Sequence, residues 1–237
     1  MRVGLASKIK SRIVPGGKVV RSIQVGPLRG LKMNLDLVYE TQIFFGLAER
    51  EIHPALRQFS RDVRTAVDVG AAFGEYVLFF LKRTPAKWIF AFEPEPKMRA
   101  PLNSNLALNG LQEDPRLHFS SQYVGMTNDE RTITLDSLAH QIEPPCIIKV
   151  DVDGAEINVL QGATRLLGIN GIRWIVETHS KQLEDECVTL FHNAGYDTQI
   201  IPNAWWRVFL PEQRPIEHNR WLLATKERPA SNANTRS

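Results

Sequence analysis

The rest of this chain is organised around the stretch Ala66-Val-Asp-Val-Gly-Ala-Ala-Phe-Gly-Glu-Tyr76. An apolar run of strand length reaches an acid, breaks at Gly70 and Gly74, and passes into the apolar and aromatic segment Tyr76 to Leu81. Glycines at those two places allow dihedrals that a Cβ forbids and let the backbone approach a ligand. A helix starting just after them aims its free N–H groups and positive dipole end at that ligand. Strand, turn and helix joined in this way form the ligand-gripping corner of a doubly wound sheet. An ordinary buried strand with a glycine turn has the same local pattern. The spacing D-x-G-x-x-x-G is neither the dinucleotide G-x-G-x-x-G nor a P-loop with its lysine. It suits a ligand without pyrophosphate and points to S-adenosylmethionine (SAM).

The remaining chain alternates strands with helices. Val19 to Val25 and Leu31 to Leu37 predict a hairpin across Gly26 to Gly30. An apolar stripe predicts one helix over Glu40 to Phe59. Later strands are predicted at Trp88–Glu93, Leu117–Ser120, Cys146–Asp151, Ile172–Glu177, Asp197–Ile201 and Trp221–Ala224. Helices are expected through about Lys82, from Pro96 to Asn109-Gly110 with a kink or late start at Pro101, over Ala155 to Leu167, and around Cys187 to Ala194. Crossovers of helical length imply an α/β fold with a largely parallel sheet covered on both faces. At 237 residues one such domain is the simplest count. We divide it into an N-terminal hairpin and helix (1–60), a core (61–227) and a disordered tail (228–237).

Composition narrows the function. Hydrophobic residues make up 43%, and no apolar run approaches a membrane span. Met1 to Lys18 is basic without an apolar h-region, so no secretory signal is expected. Cys146 and Cys187 lie far apart, which favours a reducing, cytoplasmic setting over a disulfide framework or zinc ribbon. A net charge of +3 is too small to imply a nucleic-acid groove, so no nucleic-acid partner is expected.

Asp68, Glu93, Asp151 and Glu177 each stand at the carboxyl end of a predicted parallel strand. In an open α/β sheet the ligand crevice lies outside those ends. One such acid is readily a helix cap, but four on one rim suggest a binding site. Glu93 follows the strand after the glycine corner, where a carboxylate can accept both ribose hydroxyls. Asp68 and Asp151 could face the ammonium of a methionyl group. Phe73 and Tyr76 either attract the sulfonium through their ring faces or belong to the core.

These residues resemble the FkbM-type SAM-dependent methyltransferases over roughly Val19 to Glu227. The corner Val67 to Gly74, the run Phe92-Glu-Pro-Glu-Pro96 and the segment Asn105 to Leu111 are similar to family motifs. So are Thr134-Leu-Asp-Ser-Leu138, Ile148 to Glu156, Val159 to Ala163 and Val176-Glu-Thr-His179, with Gly46 to Ile52 upstream. The resemblance implies a seven-stranded Rossmann-like sheet with an antiparallel final strand, and methylation of a hydroxyl on a small molecule or glycan. It implies SAM contacts at Asp68, Gly70, Gly74 and Glu93, with Ala72 and Phe73 in the same corner, and it puts Asp151 beside the methyl donor. Three features depart from the pattern. Ala72 replaces the usual asparagine, Asp153 replaces the commoner glutamate, and Leu111 to Thr134 is short.

Methyl transfer needs alignment of nucleophile, carbon and sulfur, and a hydroxyl acceptor benefits from a general base. The candidates are Asp151, Asp153, Glu177 and His179, with Lys149 on the same strand face as Asp151. Lys149 is expected to pair with an acid, since a base lysine needs its pKa pulled far down. His179 reads equally as a loop histidine bonded to backbone. Glu156 is expected to hold the loop through backbone N–H groups. Clustered carboxylates permit a divalent metal, but the sequence fixes no ligand set and none is assigned. Trp205, Trp206 and Phe209 read as packing, with an acceptor wall or a partner surface as the alternatives. A non-catalytic SAM- or nucleotide-binding module, a nucleic-acid methyltransferase and a nicotinamide oxidoreductase are the competing functions.

Overall fold

The strand that carries the glycine corner, β3 (Thr65–Val69), is buried at every residue and sits inside a seven-stranded sheet. A computed structural model describes residues 16–208 and 218–226. The tail at 228–237, Phe209 and the basic arm before Gly16 lie outside the described residues.

In chain order β1 (Val19–Ser22) and β2 (Lys32–Leu35) form the expected antiparallel hairpin. They are followed by α1 (Thr41–Phe44), α2 (His53–Phe59), β3 and α3 (Glu75–Arg83). Next come β4 (Trp88–Phe92), α4 (Pro96–Leu108) and β5 (Leu117–Ser120). The short β6 (Tyr123–Val124) and β7 (Thr132–Ile133) pair with each other outside the main sheet. Then β8 (Cys146–Val150), α5 (Glu156–Gln161), α6 (Thr164–Leu167), β9 (Ile172–Thr178), α7 (Lys181–Asn193), β10 (Asp197–Ile201) and β11 (Arg220–Thr225) complete the described chain. The order β10-β11-β9-β8-β3-β4-β5 confirms the α/β, doubly wound, seven-stranded expectation. All neighbours pair in parallel except β11, which runs antiparallel to both β9 and β10.

Period-two alternation gives each sheet face its own layer. Val67, Val69, Ile148, Val150, Trp174 and Val176 pack under α5, α6 and α7. Ala66, Ile147, Ile175, Trp221 and Leu223 pack under α3, α4 and the hairpin residues Ile23, Met33 and Leu35. The strand order reverses between β3 and β8, which opens the crevice at their carboxyl ends.

Three local expectations need correction. The single helix over 40–59 is broken into α1, a 3-10 turn at Arg50–Ile52, and α2. Gly46 (φ 60°) and Glu49 (φ 46°) take left-handed backbone that no helix accommodates. The helix over 155–167 is split into α5 and α6. A Cβ on Gly162 would lie 1.9 Å from the Gly125 carbonyl oxygen, so this segment is shaped by the β6–β7 loop. Helix α4 starts at Pro96 and runs through Pro101 without a late start.

Candidate active site at the carboxyl ends of β3 and β8

The turn after β3 is pressed against the end of β8. Gly70 has φ 87°, and a Cβ there would stand 1.9 Å from the Asp151 carbonyl oxygen. Only glycine permits both the dihedral and the approach. The Asp151 N–H donates to the Val69 carbonyl at 2.9 Å, which fixes the two strand ends together. The N–H groups of Gly70 and Ala71 donate to the Phe92 carbonyl at 3.0 and 2.9 Å. Ala72, at φ 42°, donates its N–H to Glu93 Oε2 at 2.7 Å. Glu93 Oε1 accepts the N–H of Glu95 at 2.8 Å. Glu93 is therefore a buried carboxylate that braces the corner and also borders a cavity.

Two cavities meet over this corner. One, of about 480 Å³, is lined by Phe92, Glu93, Met98, Tyr123, Val152 and Asp153. The other, of about 240 Å³, is lined by Tyr39, Glu49, Phe73, Glu75, Tyr76 and Glu177. Gly70, Ala72 and Asp151 border both. Lys149 borders the smaller one. Gly74 begins α3 in left-handed backbone at φ 84° and lines neither.

The acids sort by strand face. Lys149 and Asp151 are two residues apart and Glu177 holds the matching face of the neighbouring strand, so these three gather on the α3 side. His179 lies one residue beyond β9 and reaches Glu156 at the start of α5. Lys149 Nζ lies 3.3 Å from Asp151 Oδ2 and 3.8 Å from Asp68 Oδ1, and 4.4 Å above the Tyr76 ring. Burial works against its ammonium, but Asp151, Asp68, Glu49 and Glu177 outweigh that and hold its pKa above the ordinary lysine range. Lys149 thus pairs with acids, as expected.

Asp68 departs from the crevice position anticipated for it. It is fully buried one residue before the strand ends and borders neither cavity, and neither of its oxygens accepts a hydrogen bond. Burial pushes its carboxyl up to about 7, against the pull of Lys149 and with the help of the Asp151 charge.

His179 turns Nδ1 to Glu156 Oε1, which also accepts the Gly154 N–H at 3.1 Å. Glu156 therefore holds the loop as anticipated. His179 is bonded to a carboxylate, so the reading of a loop histidine bonded to backbone does not describe it. Its Nε2 lies 3.3 Å from Asp153 Oδ1, 3.7 Å from Glu177 Oε2 and 3.8 Å from Asp151 Oδ1.

Sequence reasoning missed Tyr39, Glu49 and Glu75 as lining residues. The Tyr76 hydroxyl donates to Glu49 Oε2, and burial together with the Glu49 charge raises the Glu75 carboxyl. Glu75 directly follows the second glycine of the corner, a position that carried a signal. Trp205 is 79% exposed, so packing does not describe it.

Residues 112–198 match the model of the methyltransferase FkbM domain. That span holds the runs at Thr134–Leu138, Ile148–Glu156, Val159–Ala163 and Val176–His179 but not the glycine corner. None of the curated proteins matches the chain. Among solved structures, the chain is similar to the methyltransferase FkbM from Methylobacillus flagellatus KT, with TM-score 0.52 and 16% identity over 69% of this chain and 44% of that one. It therefore spans less than half of that protein's length. It is similar to a SAM-dependent O-methyltransferase from Thermotoga maritima, with TM-score 0.51 and 13% identity over 77% and 67% of the two chains. A putative rRNA-methylase from Clostridium thermocellum gives TM-score 0.50 and 10% identity over 77% and 97%. At these identities the likeness is one of fold. The chain thus carries a methyltransferase FkbM domain match over residues 112–198 on the seven-stranded sheet of the Rossmann-like methyltransferases.

Proposed function

We propose that this protein is a SAM-dependent methyltransferase that methylates a hydroxyl of a small molecule or glycan. The observation that carries the reading is the pair of cavities sharing Gly70, Ala72 and Asp151 at the switch point of the sheet. The FkbM domain match over 112–198 and the methyltransferase fold support it. The larger cavity takes the adenosyl part, with Glu93 at the ribose and Met98 and Tyr123 beside the base. The methionyl end crosses Gly70 and Ala72 toward Asp151, with Phe73 near the sulfonium. The smaller chamber takes the acceptor.

In the reaction an acceptor oxygen attacks the methyl carbon, the carbon–sulfur bond breaks with its electron pair going to sulfur, and the hydroxyl proton leaves to a base. Alignment supplies most of the rate, and proton acceptance the rest. Asp151 and Glu177 border the acceptor chamber and are the proton acceptors in this reading. Lys149, held as a cation, positions Asp151. His179 and Asp153 act around Asp151 rather than on the donor. Cys146 and Cys187 are buried free thiols, which supports a reducing cytoplasmic setting.

Calorimetry with S-adenosylhomocysteine tests the donor site. Wild-type protein binds it, and Glu93→Gln binds about tenfold or more weakly, because one charged acceptor becomes a donor. A melting curve checks the fold of the variant. Absence of heat with the wild type would sink the whole reading, and unchanged affinity in E93Q would remove Glu93 from the ribose.

A further inference from the structure

We propose that Asp151, Glu177 and His179 bind a divalent transition cation at the rim of the smaller chamber. Among the described residues these three bring ligand atoms within 4.8 Å of one another. Around a cation with bonds of about 2.1 Å, opposite ligands stand about 4.2 Å apart, so only small side-chain shifts close the set.

Clustered acids alone say little, and the decisive observation concerns the histidine. The His179 side chain is 5% exposed, and its Nε2 is buried without a hydrogen bond. Buried polar atoms are ordinarily partnered, and leaving one unpaired is costly. The other ring nitrogen is committed. With the Nδ1–H donated to Glu156, Nε2 presents its lone pair to the oxygens of Asp151, Asp153 and Glu177 at 3.3 to 3.8 Å. A lone pair facing carboxylates is repulsive unless a positive charge stands between them. A carboxylate fixing the far nitrogen of a histidine is also how metal-binding imidazoles are oriented.

A proton on Nε2 is the rival occupant. Asp151, Asp153, Glu156 and Glu177 converge here, and Lys149, which reaches Asp151 through Oδ2, is the cation beside them. An imidazolium and Lys149 together offset two of those four charges, whereas a divalent ion with Lys149 offsets three. One imidazole with two carboxylates favours Mn²⁺, Fe²⁺ or Zn²⁺ over the all-oxygen preference of Mg²⁺ and Ca²⁺. The use of the ion, holding an acceptor oxygen beside the methyl group while the carboxylate oxygens not bound to it take the proton, rests on the methyl-transfer reading. Its binding does not.

The test is a Mn²⁺ titration followed by electron paramagnetic resonance, with S-adenosylhomocysteine calorimetry in parallel. Wild type is expected to take up one Mn²⁺ per chain. His179→Ala and Glu177→Gln are expected to bind it at least tenfold more weakly while keeping S-adenosylhomocysteine affinity within about threefold. Melting curves check both variants, and the wild-type titration decides alone if a variant does not fold. No uptake by wild type at millimolar Mn²⁺, or equal uptake by the folded variants, would overturn the cation site. Manganese bound without S-adenosylhomocysteine would uphold it and overturn the donor reading instead.

Discussion

Ala72 carries a cost that its neighbours avoid. At φ 42° it sits in the left-handed region, where an L-residue with a Cβ loses about 1–2 kcal/mol relative to the right-handed form. Its N–H is held there by Glu93, so the conformation is set by the corner and not by the residue. Asparagine tolerates this region better, since its short polar side chain can bond locally. Ala72→Asn is therefore expected to stabilise by up to about 1 kcal/mol, a rise in Tm of about 2–4 °C for a chain of this size. A thermal melt checks it, and an unchanged or lower Tm would mean the strain is absent. Asp153 shares the conformation at φ 43°, but its residue type already suits it. Glu93 shows where residue-level reading stops. Its position after β4 marked it as a ligand carboxylate, while its bracing of Ala72 depends on a backbone N–H 21 residues away that no pattern announces.

The pairing of β3 with β8 sets Asp68 directly beside Lys149 in register, yet the lysine lies closer to Asp151. Asp68 keeps a raised pKa of about 7, mainly from burial. A carboxyl whose folded pKa exceeds its unfolded value contributes stability that is full below about 3.8 and is lost as pH rises toward 7. Asp68→Asn removes the ionisation at almost the same shape. The stability of the variant relative to wild type should thus grow between pH 4.5 and 7.5, by about 1.4 kcal/mol at most for each unit of the shift. Urea midpoints across that range measure it, and a difference constant with pH would contradict the assignment. The strands themselves were legible, because apolar runs ending in acids and separated by helix-length segments admit few other folds. Which face Asp68 occupied was not. It precedes the strand end by one residue and therefore belongs to the sheet face under α3, whereas a rim position was inferred from its place near the turn. The breaks at Gly46–Glu49 and Gly162 were hidden for a related reason, since left-handed backbone and the approach of Gly125 are tertiary demands.

Across the whole molecule, the smaller chamber is closed by segments far apart in sequence. Tyr39, Glu40 and Glu49 come from the N-terminal region, Gly70 to Phe73 with Glu75 and Tyr76 from the corner, and Lys149, Asp151 and Glu177 from two later strands. The N-terminal wall is tied down from the opposite end of the chain by Arg207. This guanidinium sits in a 3-10 turn, Trp205–Val208, and is 8% exposed. It donates to Glu51 Oε1 at 2.7 Å, Glu51 Oε2 at 2.6 Å, Gln42 Oε1 at 2.8 Å and the Leu47 carbonyl at 3.2 Å. Burial alone would raise the Glu51 carboxyl, but Arg207 and nearby backbone donors bring it below its ordinary value. Removing one partner of a buried pair leaves the other uncompensated, at about 3–5 kcal/mol. Arg207→Ala is therefore expected to lower the unfolding free energy, obtained from urea titration, by an amount in that range. Neutralising the stranded acid in Arg207→Ala with Glu51→Gln should recover part of the loss, because the residual penalty is one of charge. S-adenosylhomocysteine affinity should stay within about threefold under native conditions, since Arg207 borders neither cavity. Stability equal to wild type in the single variant, or no recovery in the double, would show that the wall stands without this clamp.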